Sequence, residues 1–210
     1  MRADALRNRR RLLDAACQAF VRLGPAAALE AIARDAGVGI ATLYRHFPDR
    51  AALVRAVAAD VMARTAAEAR AALAAEDDAF AALGRYMHRA LDLCAPALMP
   101  LLYEEVRGDP EVGALLDETA TVQQELIDRA RREGGLRPDV DFADIGPALG
   151  RFARPVGGAF DPALEAQLAH RHLQVFIDGL RATGGPTLPG PALSLTGLRS
   201  MMASHLDGEA

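Results

Sequence analysis

Hydrophobic residues recur every three or four positions along most of the chain, a spacing typical of helices with one buried face. The clearest early stripe consists of Leu12, Leu13, Ala16, Cys17, Phe20 and Val21. A later stripe consists of Phe80, Leu83, Met87, Leu91 and Cys94. No stretch alternates apolar and polar residues with period two over the length of a strand. The pattern therefore predicts an all-α protein.

Glycines, prolines and candidate N-cap aspartates divide this pattern into separate helices. The predicted helices cover residues 5–23, 27–35, 40–46, 50–75, 80–94, 101–107, 110–133, 142–153 and 161–182. Pro96 and Pro100 are expected to bracket a break before the sixth helix, because proline disrupts a helix interior. Residues 155–158 are expected to end the eighth helix. A Gly- and Pro-rich linker follows the ninth, and residues 193–206 are expected to add a short terminal helix.

Basic and acidic side chains are distributed unevenly along the chain. Residues 1–50 hold nine Arg against five Asp and Glu, a net charge of +4, whereas residues 51–210 carry a net charge of −8. Arginine supplies every basic side chain, so a basic contact to a phosphate would be made by a guanidinium, which can bind in a bidentate way. A basic N-terminal segment on an acidic body suggests that only this segment meets a polyanion.

Several classes of site leave no signal in the sequence. Cys17 and Cys94 lie far apart in apolar helical patterns, which indicates free thiols in a reducing compartment. No apolar run approaches the ~20 residues of a membrane span, and the N-terminus lacks the apolar core of a signal peptide. We therefore expect a cytoplasmic protein without a membrane partner. We find no nucleophile elbow, phosphate loop, dinucleotide fingerprint or cluster of metal ligands, and so expect no catalytic residue, metal or cofactor.

Residues 27–50 have the organisation of a helix-turn-helix: two short predicted helices are joined by a tight turn around Gly37, and a supporting helix precedes them. The apolar side chains expected to hold this unit together are Ile32, Ala33, Val38, Leu43 and Phe47. With those positions turned inward, the second short helix presents polar side chains to the outside. These are Thr42, Tyr44, Arg45 and His46, all of which can bond phosphate oxygens.

This segment resembles the DNA-binding domain of the tetracycline-repressor (TetR) family. The matching residues are Ile32, Ala33, Ala36, Gly37, Val38, Thr42, Leu43, Tyr44, His46, Phe47 and Leu53. The resemblance is specific over about residues 7–62, and the rest of the chain matches in helix count and lengths. It implies a three-helix DNA-binding domain over residues 1–50 and a ligand-binding and dimerisation domain over residues 51–182. The helix over residues 50–75 would connect the two, and residues 183–210 would form the linker and terminal helix.

The resemblance assigns the contacts with double-stranded DNA to the helix over residues 40–46, which would enter the major groove. Ile40 and Ala41 are apolar where family members often carry polar residues, so they are expected to touch a thymine methyl group. Thr42 would contact a phosphate or a base, and Arg45 would contribute to sequence choice. The side chains expected to hold phosphates are Tyr44, His46, Arg50, Arg9 and Arg10.

The body is expected, by the same resemblance, to form a homodimer and to bind a small-molecule effector. Its last two long helices would pair with their copies, with Gly146, Ala148, Gly150 and Ala153 permitting close approach. The candidate effector-binding residues lie on the fifth to eighth helices and are Met87, His88, Leu91, Cys94, Met99, Tyr103, Leu126 and Phe152. A stripe of this kind is equally typical of an ordinary hydrophobic core.

Together these features predict a dimeric transcriptional regulator, a repressor that a small hydrophobic ligand releases from a palindromic operator. The alternative that stays open is a constitutive helix-turn-helix DNA binder that senses no ligand. A filled body without a cavity would favour that alternative. An enzyme is disfavoured, because none of the usual catalytic motifs is found.

Overall fold

The computed structural model of the protein describes residues 2–154, 160–198 and 200–201, and the long elements that it shows there are all helices. In chain order they are α1 (Arg2–Leu23), α2 (Leu29–Asp35), α3 (Ile40–His46), α4 (Arg50–Ala75), α5 (Ala79–Asp92), α6 (Ala95–Val106), α7 (Pro110–Arg132), α8 (Phe142–Phe152) and α9 (Pro162–Gly179). The prediction of an all-α fold is confirmed. Among these helices none is both long and apolar enough to cross a membrane.

Aspartate N-caps determine where most of the longer helices begin. The caps of α4, α5, α7, α8 and α9 are Asp49, Asp78, Asp109, Asp141 and Asp161. Each carboxylate accepts hydrogen bonds from backbone N–H groups of the first turn, which have no acceptor within the helix. The helix starts predicted at Asp49, Asp109 and Asp161 are therefore confirmed to within a residue.

The break expected between Pro96 and Pro100 is wrong, because both prolines lie inside the continuous helix α6. Pro96 occupies the first turn, where a backbone N–H would have no helical acceptor. Pro100 removes the N–H that would bond the carbonyl of Pro96, yet the helix continues, since Leu98 and Leu102 are fully buried. Tertiary packing overrides the local preference of proline at this point.

Gly150 of α8 lies against the same carbonyl group. A Cβ atom at Gly150 would be 2.8 Å from the carbonyl oxygen of Pro96, closer than van der Waals contact allows. The Cβ position of Gly146 is blocked by the ring of Phe142, four residues earlier in α8. Both glycines are expected from the sequence to ease contact between two copies, whereas the structure places them at close approaches within one chain.

We expect Gly150→Ala to lower the free energy of unfolding by about 1–3 kcal/mol, because the added methyl group forces α6 and α8 apart. Gly113→Ala in α7 is the matched control, since no atom beyond its own stretch of helix lies within 4 Å of its Cβ position. That change should stabilise the protein by up to about 1 kcal/mol, because alanine favours the helix. Urea unfolding followed by circular dichroism measures both variants. Equal stabilities of Gly150→Ala and wild type would contradict the tight crossing.

Two hydrophobic clusters fill the interior. The first joins α1, α2, α3 and the N-terminal half of α4 to α6, through residues that include Phe20, Leu43, Leu53, Leu98 and Leu102. The second joins the C-terminal half of α4 to α5, α7, α8 and α9, through residues that include Leu83, Met87, Leu126, Leu149 and Leu173. The helix-turn-helix therefore shares its core with α6. The domain boundary expected after residue 50 stays a prediction.

The chain after α9 runs back along the body without regular structure over residues 183–194, and residues 195–198 are helical. Asp139 anchors this segment by accepting a hydrogen bond from the N–H of Leu188 at 2.7 Å. The Arg137 guanidinium, together with that N–H, holds the pKa of the Asp139 carboxyl far below its usual range. Residues 155–158, expected to end the eighth helix, and the part of the expected terminal helix beyond residue 201 lie outside the described residues.

Candidate nucleic-acid interface

The turn between α2 and α3 is built around Gly37, whose φ of 64° lies in the left-handed region that favours glycine. The N–H of Gly37 donates to the carbonyl of Arg34, and the N–H of Val38 donates to the carbonyl of Ala33, each at 2.9 Å. This pair of hydrogen bonds is a Schellman motif, which ends α2 and reverses the chain. The turn predicted around Gly37 is confirmed.

Burial on one side of α3 decides what its other side presents. Leu43 is fully buried, and Phe47, just after the helix, is nearly so. Tyr44 is 47% exposed, and Ala41 and Arg45 are also exposed. Ile40 and Thr42 are partly buried at the rim of the same surface. The helix is therefore held by apolar contacts while its outer surface is open to solvent.

Three polar side chains on this outer surface have no partner within the described part of the chain. The hydroxyl of Thr42 and the phenol of Tyr44 make no side-chain hydrogen bond there, and the guanidinium of Arg45 makes neither a hydrogen bond nor an ion pair. Most other arginines whose side chains the structure describes are paired with a carboxylate or a carbonyl, as Arg10, Arg50 and Arg137 are. An exposed hydroxyl, phenol and guanidinium on one short rod are the groups that bond DNA phosphates and base edges.

His46 differs from these three, because its Nε2 atom is buried and lacks a hydrogen-bond partner. Its ring centroid lies 6.2 Å from that of Phe47 in a tilted arrangement. A phosphate could reach Nε2 only if the side chain turned outward. An unpaired buried nitrogen is costly, so such a rotation would be favourable when an anion is present.

The three arginines expected to reach phosphates from outside α3 all have contacts within the chain. Arg50 donates to the carbonyl of Pro25 at 2.7 Å and so ties the start of α4 to the turn after α1. Arg10 forms a bidentate pair with Asp60 of α4, at 2.7 and 2.6 Å. The guanidinium of Arg9 lies 5.1 Å from the centroid of the Phe47 ring, a cation–π contact. Their DNA-binding roles stay predictions.

The eight candidate effector-binding residues do not surround one common cavity. Cys94 and Met99 pack against the first hydrophobic cluster. Met87, Leu91, Leu126 and Phe152 belong to or pack against the second cluster. Met87 and Leu126 are fully buried, whereas Tyr103 is 39% exposed. In this conformation most of these side chains are core.

His88 is occupied by contacts with α9 rather than directed into a cavity. Its Nδ1 atom lies 2.8 Å from Nδ1 of His170, and its Nε2 atom lies 3.1 Å from Oε1 of Gln174. Nε2 of His170 in turn lies 3.0 Å from a carboxylate oxygen of Asp92. These groups connect α5 to α9, and no local pattern in the sequence predicts that they meet.

Two surface clefts of the described chain border the helix-turn-helix. One, of about 340 Å³, is lined by Arg9 and by residues of α4 and the start of α7, among them Arg55, Asp60 and Asp109. The other, of about 260 Å³, is lined by residues of α1 and the end of α2, among them Arg11 and Asp35. None of the eight candidate effector residues lines either cleft.

Sequence reasoning missed a buried polar pair in the body. Gln123 of α7 donates a hydrogen bond to the phenol oxygen of Tyr86 of α5, inside the second cluster. Burial raises the pKa of Tyr86 to about 12, so the phenol stays neutral over the physiological range. The helical spacing from Leu83 could have placed Tyr86 on the buried stripe, but its partner on α7 is set by tertiary structure.

Sequence reasoning also treats the two cysteines as isolated, and this is wrong. The Sγ atom of Cys17 of α1 lies 3.8 Å from the carbonyl oxygen of Leu93, directly before Cys94 at the start of α6, and both thiols are free. No local pattern connects them, because the contact depends on how α1 packs against the joint between α5 and α6.

The fold and this surface define a helix-turn-helix DNA-binding protein with a larger helical body. Residues 12–57 match the family described as bacterial regulatory proteins, tetR family. The transcriptional repressor LfrR of Mycolicibacterium smegmatis is 37% identical over 128 residues, which cover 60% of this chain and 67% of LfrR. The chain belongs to the TetR family of transcriptional regulators, so the resemblance proposed from the sequence is confirmed.

Solved structures agree with this assignment over most of the chain. A TetR regulatory protein from Mycobacterium vanbaalenii is 35% identical with a TM-score of 0.57, over 86% of this chain and 98% of that one. A TetR regulator from Streptomyces coelicolor is 30% identical with a TM-score of 0.58, over 83% and 99%. LfrR in complex with proflavine is 28% identical with a TM-score of 0.57, over 87% and 98%. The similarity thus includes the body as well as the helix-turn-helix.

Proposed function

We propose that this DNA-binding regulator is a repressor that a small hydrophobic ligand releases from a near-palindromic operator. The observation that carries the DNA-binding part is the outer surface of α3. There Thr42, Tyr44 and Arg45 are free of partners in the described chain, while Leu43 and Phe47 anchor the helix from behind. Such a helix can enter the major groove without first breaking internal contacts.

The positions of the side chains on α3 suggest which part of the DNA each of them contacts. Ile40 and Ala41, at the N-terminal end of α3, would lie deepest in the groove and contact thymine methyl groups. Arg45 would read a base edge or a phosphate with its planar guanidinium. Tyr44 would donate its phenol O–H to a phosphate, and Thr42 would bond a phosphate or base.

Arg50 and Arg10 would contribute differently from the residues of α3. Arg50 is part of the support for the turn after α1, through Pro25, and can only reach a phosphate by giving up that carbonyl. Arg10 would have to leave Asp60, which holds it at two points. We therefore infer that both mainly position the helix-turn-helix, and that phosphate contact by either one is secondary.

A two-fold dimer through α8 and α9 would supply the second reading helix. Apolar side chains on and next to α9 remain exposed in the single chain: Val175 is 74% exposed, and Phe160 and Leu164 are also open to solvent. Burying them between copies would be favourable. A dimer of this class places its reading helices about 34–36 Å apart, which requires a near-palindromic site.

The ligand-binding part of the proposal requires the body to open. Met87 and Leu126 are fully buried, so a ligand among α5–α8 would have to displace core side chains. The neutral Tyr86–Gln123 pair would offer the incoming molecule a hydrogen-bonding group in an apolar setting. The complex of the relative LfrR with proflavine makes planar aromatic molecules the first class to test.

The burial of most candidate effector residues in the hydrophobic clusters favours a second candidate function, a constitutive DNA binder without ligand sensing. The ligand is expected in the second cluster, and the two clefts next to the helix-turn-helix lie outside that cluster. The two candidates make opposite predictions for one measurement, the change in operator affinity when a ligand is added.

Selection from a random duplex library with the purified protein tests operator binding, and a second measurement on the selected duplex tests ligand release. We expect enrichment of a near-palindrome whose half-sites lie about one helical turn apart. Fluorescence anisotropy on that duplex, with proflavine and a panel of planar aromatics, then tests release. A lack of palindromic enrichment would reject the repressor proposal. An enriched operator whose affinity no compound in the panel changes would favour the constitutive binder.

A further inference from the structure

The two cysteines of the chain meet where the helix-turn-helix joins the body. Cys17 lies on the buried face of α1, and Cys94 is partly buried at the joint between α5 and α6. The Sγ atom of Cys17 lies 3.8 Å from the carbonyl oxygen of Leu93, the residue directly before Cys94. The pair therefore connects two elements that the chain separates by four helices.

The backbone fixes Cys94 in an unusual conformation. With φ 55° and ψ 10°, it is the only non-glycine residue in the described part of the chain with a positive φ. Its N–H donates to the carbonyl of Leu91 at 3.0 Å, and its own carbonyl accepts from the N–H of Leu98 at 2.9 Å. The end of α5 and the start of α6 thus hold this residue from both sides, in a backbone region that L-residues rarely adopt.

The two thiols differ in reactivity. The neighbouring Cys94 thiol, together with burial, raises the pKa of the Cys17 thiol. The Cys17 thiol in turn lowers the pKa of the Cys94 thiol, although desolvation opposes this effect. Cys94 is also the more exposed of the two. Because the thiolate is the nucleophile, Cys94 is the sulfur that an oxidant would reach and modify first.

We propose that Cys17 and Cys94 form a reversible disulfide when the protein meets a hydroperoxide. The thiolate of Cys94 attacks the terminal peroxide oxygen, the O–O bond breaks, and a sulfenic acid and an alcohol or water are produced. The sulfur of Cys17 then attacks the sulfur of Cys94, the S–O bond breaks, and water leaves. With hydrogen peroxide, two thiols and one peroxide give one disulfide and two waters. A dithiol reductant reverses the step.

The bond would clamp α1 to the start of α6 and so fix the helix-turn-helix on the body. A ligand releases DNA only by favouring a different arrangement of these parts. The oxidised protein should therefore keep its operator affinity and lose its response to ligand. This consequence rests on the proposed function, whereas formation of the disulfide does not.

The first experiment treats the full-length protein with a small excess of hydrogen peroxide, followed by alkylation, proteolysis and mass spectrometry without reduction. We expect a peptide pair linked through Cys17 and Cys94. On a non-reducing denaturing gel the oxidised protein should migrate as a monomer. The oxidised protein should melt about 10 °C higher than the reduced one, because the bond closes a long loop in the unfolded chain. Dithiothreitol should remove both effects.

Two single variants locate the reactive sulfur. In Cys17→Ser, whose hydroxyl keeps a hydrogen-bond donor beside Cys94, dimedone should trap a sulfenic acid on Cys94. In Cys94→Ala, the remaining thiol of Cys17 should stay unmodified under the same treatment. Circular dichroism first establishes that each variant is folded.

Two outcomes would overturn the proposal. One is full recovery of both free thiols at a peroxide dose that oxidises the cysteine of a short control peptide in solution. The other is a disulfide that joins two chains instead of closing within one. If the linked peptide forms but operator binding is never found, the redox site stands and the proposed function fails. The two results are therefore distinguishable.

Discussion

Arg45→Ala is expected to lower operator affinity by about 5- to 150-fold, the range that corresponds to the loss of one good guanidinium contact with DNA. Arg45 is exposed on α3 and has no hydrogen bond or ion pair in the described chain. Its removal should therefore leave the melting temperature unchanged, so the loss of affinity reports on the DNA contact itself. Fluorescence anisotropy on the selected operator and on a scrambled duplex measures the effect.

The comparison of the two duplexes separates the possible roles of Arg45. A base contact predicts a larger loss on the operator than on the scrambled duplex, whereas a phosphate contact predicts equal losses and a shallower salt dependence. Arg132→Ala, at the far end of α7, is the matched control, because this exposed arginine lies in the body. Unchanged operator affinity in Arg45→Ala would contradict the assignment of α3 as the reading helix.

Leu98→Ala is expected to lower the free energy of unfolding by about 2–5 kcal/mol, which corresponds to a fall of roughly 10 °C in melting temperature. Leu98 is fully buried in α6, in the cluster that also contains Phe20 and Leu43 of the helix-turn-helix. The variant should therefore weaken the DNA-binding part although it alters the body. Calorimetry measures the unfolding of the variant, and operator binding at increasing temperature measures the loss of its DNA-binding part.

Leu6, an exposed leucine of α1, provides the control for that variant. Leu6→Ala should change stability by no more than about 0.5 kcal/mol, because its side chain is already in water. Two separate heat-absorption peaks in wild type, with only the later one moved by Leu98→Ala, would contradict a shared core. Such a result would favour the domain boundary expected after residue 50.

This shared core gives a physical route between ligand and DNA. Contacts across it include the bidentate Arg10–Asp60 pair between α1 and α4, the Arg64–Asp14 pair at 3.2 Å, and the contact of the Cys17 thiol with the carbonyl of Leu93 between α5 and α6. Exposed ion pairs of this kind contribute little stability each. They do fix orientation, so a shift of α4 or α6 in the body would change the position of α3 relative to the DNA.

The helix-turn-helix was predictable from sequence because its signals are local. Gly37 ends α2 for reasons of backbone conformation, and Asp49 caps α4 through its own carboxylate. The apolar positions Ile32, Leu43 and Phe47 are buried as their spacing predicts. A strong local pattern at each of these points agrees with the tertiary structure, and the family assignment depends on the same residues.

What only the tertiary structure decided is the set of contacts made between distant segments. Sequence spacing could not show that α6 continues through Pro100, because burial of Leu98 and Leu102 outweighs the missing hydrogen bond. It could not show that Arg50 is held by Pro25 or that Cys17 meets Cys94. The spacing of hydrophobic residues in a helix predicts which face is buried, whereas the partner on that face is set by how all the helices pack together.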